Sequence, residues 1–174
     1  MCKVVESRAL RRWLRGTTMA LSVLLSMTTL AAESLASQEI ARQELYAQAK
    51  EYLQQGEAAQ AFALLAAQEG ELSGEDEFDY LFGVAALDSQ QAGEAIFSLQ
   101  RLVARKSNFS GARLELARAY FDVGDDELAS VEFSRVLTEN PPENVVAAVT
   151  SYQEAIKVRT SAYKTTTQLY FEAG

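Results

Sequence analysis

The stretch LELARAYFDVGDDELASVEFSRVLTENP, residues 114–141, sets the register from which the rest of the chain is read. Ala117 and Tyr120 share one helical stripe, Gly124 interrupts it, and Ala129 and Phe133 share a second stripe that ends before Pro141. Thirty-four residues earlier stand Gly83, Ala86, Ala95 and Leu99, and 34 before those stand Ala49, Tyr52, Ala61 and Leu65. Gly56 and Gly124 close the turn in the outer two copies, while Gln90 holds that place in the middle one. Spacings of three and four inside each copy mark amphipathic helices, and a fixed period of this size marks helix pairs stacked one on the next. Small residues recur where the two helices of a pair would cross, so their backbones can approach closely. The expected fold is all-α, a solenoid of helical hairpins of about three repeats plus a capping helix.

The first pair of helices is expected over residues 37–55 and 58–68, with Leu45, Tyr46, Tyr52 and Leu53 on the apolar face of one and Phe62, Leu64 and Leu65 on that of the other. Residues 69–77 are acidic and contain two glycines, as a solvated link would. Glu71, Glu75, Asp76 and Glu77 in it lack the ordered alternation of a calcium loop, so no metal is expected there. The second pair is expected over 78–89 and 92–105, the third over 111–122 and 127–138. Pro141 and Pro142, the only prolines, suit the end of a repeat and the first turn of a new helix. A last helix over 143–159, with Val145, Val149, Tyr152 and Ile156 on one stripe, would cover the apolar side of the third pair.

With these residues in place the chain resembles the tetratricopeptide repeat family over about residues 40–142. The third copy matches best, through Leu116, Ala117, Tyr120, Gly124, Ala129, Phe133 and Pro141. The second departs at Ala86 and Gln90, where the family favours Tyr and Gly, and the first has a long exit loop. The resemblance implies a groove, lined by the first helix of each pair, that binds other polypeptides.

The N-terminus reads differently. Lys3, Arg8, Arg11, Arg12 and Arg15 precede an uncharged run over residues 17–32, and small residues follow at Ala31, Ala32, Ser34 and Ala36. This is the order of a secretory signal over residues 1–36, with cleavage after Ala32 or Ala36 both compatible. Arg11-Arg12 lacks the spacer of a twin-arginine motif, because Trp13 follows directly. Of the 16 basic and 24 acidic residues, the first 32 positions hold five and one, so 11 and 23 remain and the exported part is near −12. Such a surface suits water and repels phosphate backbones, so no nucleic acid is expected.

There is no histidine, and the only cysteine, Cys2, lies within the signal. The exported chain therefore has no thiol, disulfide or imidazole, which removes most nucleophilic, acid–base and transition-metal chemistry. No cofactor is expected. A carboxylate-based hydrolase lacks any recognisable frame, and a non-enzymatic role is the reading.

From Thr165 the helical period gives way to alternation, with Thr165, Thr167, Leu169, Phe171 and Ala173 on one side and Thr166, Gln168, Tyr170 and Glu172 on the other. Residues 161–174 are expected to begin a β-strand region, resembling the first strand of a truncated barrel. The stretch from Pro141 through Tyr152, Ile156 and Arg159 into this segment is similar to a junction in the surface lipoprotein assembly modifier family. That resemblance implies a periplasmic repeat domain, residues 37–142 with a cap over 143–160, handing over to an outer-membrane barrel that helps lipoproteins reach the cell surface.

On the repeat register the groove would be lined by Tyr46, Lys50, Leu53 and Gln54, by Tyr80, Val84, Leu87 and Asp88, and by Leu114, Arg118, Phe121 and Asp122. Aromatic anchors among scattered charges suit an extended peptide or partner helix. The leading expectation is a periplasmic protein-interaction module, the docking region of an outer-membrane lipoprotein-assembly protein lacking its barrel. Its partner would be an exported lipoprotein or an assembly factor, with membrane association only where the barrel is present. The alternative is a free-standing periplasmic scaffold or chaperone adaptor.

Overall fold

The structure, a computed structural model, describes the backbone of residues 35–172 and the side chains of residues 35–163. The signal expected over residues 1–36 lies outside the described residues except at its last two positions. The chain divides into two compact units, Met1–Glu44 and Leu45–Gly174. In the first, residues 35–44 are helical and Arg42 pairs with Glu39.

In the second unit the helix α1, residues 35–54, contributes its later part. It is followed by α2 (Ala58–Ala66), α3 (Glu69–Leu72), α4 (Asp76–Asp88), α5 (Ala92–Arg105), α6 (Ser110–Asp122), α7 (Asp126–Thr138) and α8 (Glu143–Glu172). The pairs α4–α5 and α6–α7 pack most extensively, α5 packs on α6, and α2 packs on α4. This is a stack of helical hairpins at the expected period.

The small-residue columns carry the crossings: Ala49, Gly83 and Ala117, and Ala61, Ala95 and Ala129, are all buried. A Cβ added at Gly83 would lie 2.5 Å from Leu99 Cγ and 3.0 Å from Ser98 Oγ, so any side chain there would have to push α5 away. One apolar cluster gathers Tyr46, Leu65, Phe78, Leu81 and Phe82; a second gathers Leu99, Leu102, Leu116, Tyr120, Phe133, Val149 and Ile156. Phe62 packs against both and makes them continuous.

Each hairpin turn needs one residue in the left-handed region. Gly56 (φ 77°) and Gly124 (φ 83°) supply it without strain, and Gln90 adopts it at φ 67°. Gln90→Gly is therefore expected to stabilise the chain by about 0.5–1 kcal/mol, the relief of backbone strain less the entropy glycine restores to the unfolded chain. A rise of a few degrees in thermal midpoint checks it, and an unchanged or lowered midpoint would count against strain at this turn.

Position 79 and its repeat mate 113 hold a feature that column-matching did not reveal. Asp79 is fully buried on α4, where Arg101 and Arg105 of α5 each reach it at 2.6 Å and the Gly74 backbone N–H donates to it at 3.2 Å. Arg113 is buried on α6, where it donates to Glu132 at 2.8 Å and Glu139 at 3.2 Å of the following turns, and to the Ser107 carbonyl. Asp79 and Arg113 are 34 residues apart, as are Arg105 and Glu139. The second and third hairpins are thus each closed by a buried charge at one repeat position, with the sign reversed from one to the next.

Two expectations differ from the structure. The link over 69–77 contains a single helical turn, α3, and α4 begins at Asp76 instead of 78, with Asp76, Glu77 and Asp79 in its first turn where negative charge suits the helix N-terminus. Among the described residues there is no strand: α8 continues helical to Glu172 through the segment expected to be extended. A lone strand leaves its backbone N–H and C=O groups unpaired, whereas a helix closes them within itself. Ala173 and Gly174 lie outside the described residues. Among the described residues no helix is long and apolar enough to cross a membrane.

Candidate protein-interaction site

The first helix of each hairpin presents one face whose residues the repeat register assigns to a groove. Because α1, α4 and α6 repeat every 34 residues, equivalent positions fall in rows: Tyr46, Tyr80 and Leu114; Lys50, Val84 and Arg118; Leu53, Leu87 and Phe121; Gln54, Asp88 and Asp122.

The rows divide by exposure. Tyr46 and Leu87 are buried at 2% and 4% exposure, so they belong to the core and leave the accessible face. The Tyr46 hydroxyl donates to Glu75 at 2.9 Å. Leu53, Tyr80, Val84, Leu114, Arg118 and Phe121 are half-buried, and Lys50, Gln54, Asp88 and Asp122 are exposed. The exposed and half-buried members are the ones a partner can touch.

At one end Lys50 Nζ pairs with Glu77 at 2.5 Å, and the Tyr80 ring lies 5.0 Å from that of Phe109, tilted by 32°. At the other end Phe121 meets Tyr152 of α8 edge-on at 5.0 Å. The Arg159 guanidinium sits 4.3 Å from the centre of the Phe121 ring while pairing with Asp126. Phe121 is therefore already clasped by the capping helix.

Between these ends Arg118 bridges Glu115 and, at 3.1 Å, Asp88. Burial works against the Arg118 charge, yet the Glu115 and Asp88 carboxylates outweigh it and raise its pKa above the usual arginine value. Burial pushes the Glu115 carboxyl up, against the pull of Arg118. Burial also raises the Tyr80 phenol, with the Glu115 carboxylate adding to it. Arg118 is thus committed to two acids of its own chain and is not a free cation awaiting a ligand. Glu115 was not among the expected site residues; its position three before Arg118 on the same helix was the available signal.

A cavity of about 440 Å³ opens beside the Lys50 end, lined by Lys50, Asp76, Glu77, Tyr80, Leu81, Lys106 and Phe109. Phe109 and Lys106 come from the link between α5 and α6, which the helix-face register could not include. Lys50 and Tyr80 are the expected residues that the structure brings to this cavity; Arg118, Phe121, Asp88 and Asp122 lie elsewhere along the face.

Residues 86–152 match the tetratricopeptide repeat family. The chain is similar to a surface lipoprotein assembly modifier of Moraxella catarrhalis, 37% identical over 82 residues, covering 47% of this chain and 16% of that protein. It is also similar to surface lipoprotein assembly modifier 1 of Neisseria meningitidis serogroup B (strain ATCC BAA-335 / MC58), 30% identical over 80 residues, covering 46% of this chain and 16% of that protein. The chain thus matches only about a sixth of the length of these curated relatives. In fold it resembles the first tetratricopeptide domain of human RPAP3, with a TM-score of 0.58 and 16% identity, covering 68% of this chain and 94% of that one. The first such domain of Spaghetti (RPAP3) bound to the HSP90 peptide SRMEEVD gives a TM-score of 0.56 at 17% identity, covering 65% and 90%. At these identities the two structures speak for the fold alone.

Proposed function

We propose that this chain is a non-catalytic protein-interaction module of the periplasm, the docking region of an outer-membrane protein that assembles or exports surface lipoproteins. The stacked hairpins, whose first helices share a half-buried face of aromatic and charged side chains, carry this reading. The likeness to two surface lipoprotein assembly modifiers supports the lipoprotein role, and the basic-then-apolar N-terminus supports export. A tetratricopeptide domain resembling this one holds an HSP90 peptide, which supports a groove that takes extended polypeptide. Lys50, Leu53, Tyr80, Asp88, Arg118, Phe121 and Asp122 form the contact face, with Tyr46 and Leu87 shaping it from beneath. In this reading the Thr- and aromatic-rich stretch from Thr165, helical here to Glu172, becomes a barrel strand where neighbouring strands are supplied.

A photo-crosslinking amino acid placed at Val84 or Asp122 in living cells tests the proposal. Adducts at these positions are expected to contain an exported lipoprotein or an envelope assembly factor. The same probe at Phe97, an exposed position on α5, is expected to give few. Equal adducts at all three positions, or adducts with cytosolic proteins only, would remove the groove from consideration.

A further inference from the structure

The accessible face of α1, α4 and α6 is unevenly charged. At its Lys50 end Glu77 neutralises the lysine at 2.5 Å. Towards α6 the balance changes, because Asp88 and Glu115 share the single guanidinium of Arg118. Burial pushes the Glu115 carboxyl up and Arg118 pulls it back, while the Asp88 charge adds to the rise, so one cation serves two acids that repel each other. At the far end Arg159 pairs with Asp126 and donates to the Phe121 carbonyl, and among the described residues no cation pairs with Asp122. Lys50, Arg118 and Arg159 thus face Glu77, Asp88, Glu115, Asp122 and Asp126, which leaves two negative charges uncompensated.

The placement of Asp88 and Asp122 works against the fold. They occupy one repeat position, 34 residues apart, and each is the last residue of its helix, α4 and α6. The last turn of a helix leaves carbonyls without partners, and its dipole disfavours negative charge. Neither helix has a basic residue in that turn to offset it, and both carboxylates are exposed. Charge set twice at the same unfavourable position does not serve stability. It does draw cations to a helix end whose carbonyls favour them too. The chain itself uses this chemistry, since Arg118 reaches Asp88 from the next first helix and Arg159 reaches the Phe121 carbonyl near the end of α6. Val84 and Leu114, half-buried on the same two helices, give the face its apolar part.

We infer that this face selects a basic segment of an extended polypeptide, setting apolar side chains on Val84 and Leu114 while one Lys or Arg joins Arg118 at Asp88 and another meets Asp122 at the end of α6. The inference rests on the peptide-groove reading and names the sequence class that the groove prefers. Arg118 stays with its own acids, so an acidic segment finds no free cation there and brings like charge against three carboxylates.

Fluorescence anisotropy with the exported chain and a labelled peptide Ser-Lys-Leu-Arg-Val-Lys-Ser tests it. Replacing the peptide's basic residues by Glu is expected to weaken binding about tenfold or more, and raising salt from about 50 to 500 mM to weaken it severalfold through screening. Asp88→Asn and Asp122→Asn are each expected to cost about threefold to fivefold, the scale of one exposed charge pair, and together about tenfold. Glu94→Gln, the same change of charge at an exposed position on α5, is expected to cost less than about twofold. Asp122→Asn should melt at or above the parent temperature, because it removes a charge that the helix end disfavours, so its loss of binding is not a loss of fold. Preference for the Glu-bearing peptide would overturn the inference. So would equal losses in Glu94→Gln and Asp122→Asn, which would show that overall charge alone attracts the peptide. If neither peptide binds while crosslinks at Val84 persist, the charge preference is wrong and the groove stands; if both fail, the groove falls too.

Discussion

Asp79→Ala is expected to destabilise the chain by about 3 kcal/mol, the lower end of what breaking a buried ion pair costs. The carboxylate is fully buried and accepts from two arginines and the Gly74 N–H, so the substitution removes the acceptor of three donors, of which Arg105 keeps Asp76. What holds the figure down is that Arg101 and Arg105 are each about one-third exposed and can recover hydration. The Gly74 N–H loses the Asp79 acceptor and, with it, the fixed entry of the chain into α4. Thermal or urea unfolding reads the loss directly. Asp79→Asn, which keeps an acceptor for Gly74 but no charge, should recover only part of it. A loss below about 1 kcal/mol in Asp79→Ala would mean that this carboxylate behaves as an ordinary surface group.

Phe133→Ala is expected to cost about 3–5 kcal/mol and, more tellingly, to loosen α8. The ring is fully buried and stacks on Tyr152 with centroids 5.0 Å apart and planes 17° apart. Tyr152 in turn meets Phe121, over whose ring the Arg159 guanidinium sits. Removing Phe133 takes away the shared wall of this chain of contacts and leaves a cavity between α7 and α8. Hydrogen exchange should accelerate in α8 well before it does in α4 or α5. Phe133→Leu, which conserves more volume, should cost no more than about 1.5 kcal/mol. Uniform acceleration across all helices would show that α8 is not separately attached.

Much of this architecture was legible because close packing leaves a periodic trace. The alanine and glycine columns at 49, 83 and 117 and at 61, 95 and 129 are buried, as the need for close helix crossings requires. The glycines at 56 and 124 turn with positive φ, and the same turn at Gln90 shows that the backbone geometry survives the loss of its preferred residue. The buried ion pairs left no such trace, since Asp79 and Arg113 share a position while differing in sign, and Leu45 holds it in the first copy. A column of unlike residues looks like free surface.

The interaction face was legible only in part, for a geometric reason. A helix that lines a groove and packs on its neighbour turns through both duties within about 100° per residue, so single positions are easily assigned to the wrong side. Tyr46 and Leu87 fell on the packed side. Phe109 and Lys106 escaped notice because they sit in a link, where no helical period applies. The helical course of α8 beyond residue 164 was hidden for a different reason: side-chain alternation says which residues share a face, and nothing about where backbone hydrogen bonds find partners.

The reversed polarity of the two buried pairs also bears on how the chain avoids tangling while it collapses. Near-identical modules in tandem invite a helix to zip onto the wrong companion. Were α4 to close on α7, skipping a module, Asp79 would find Glu139 at the place of Arg105, with only Arg135 at the place of Arg101 to offset it; were α6 to close on α5, Arg113 would find Arg105 at the place of Glu139. A like charge brought against a buried one makes both errors costly, so the second and third hairpins each carry an address that favours the rightful mate.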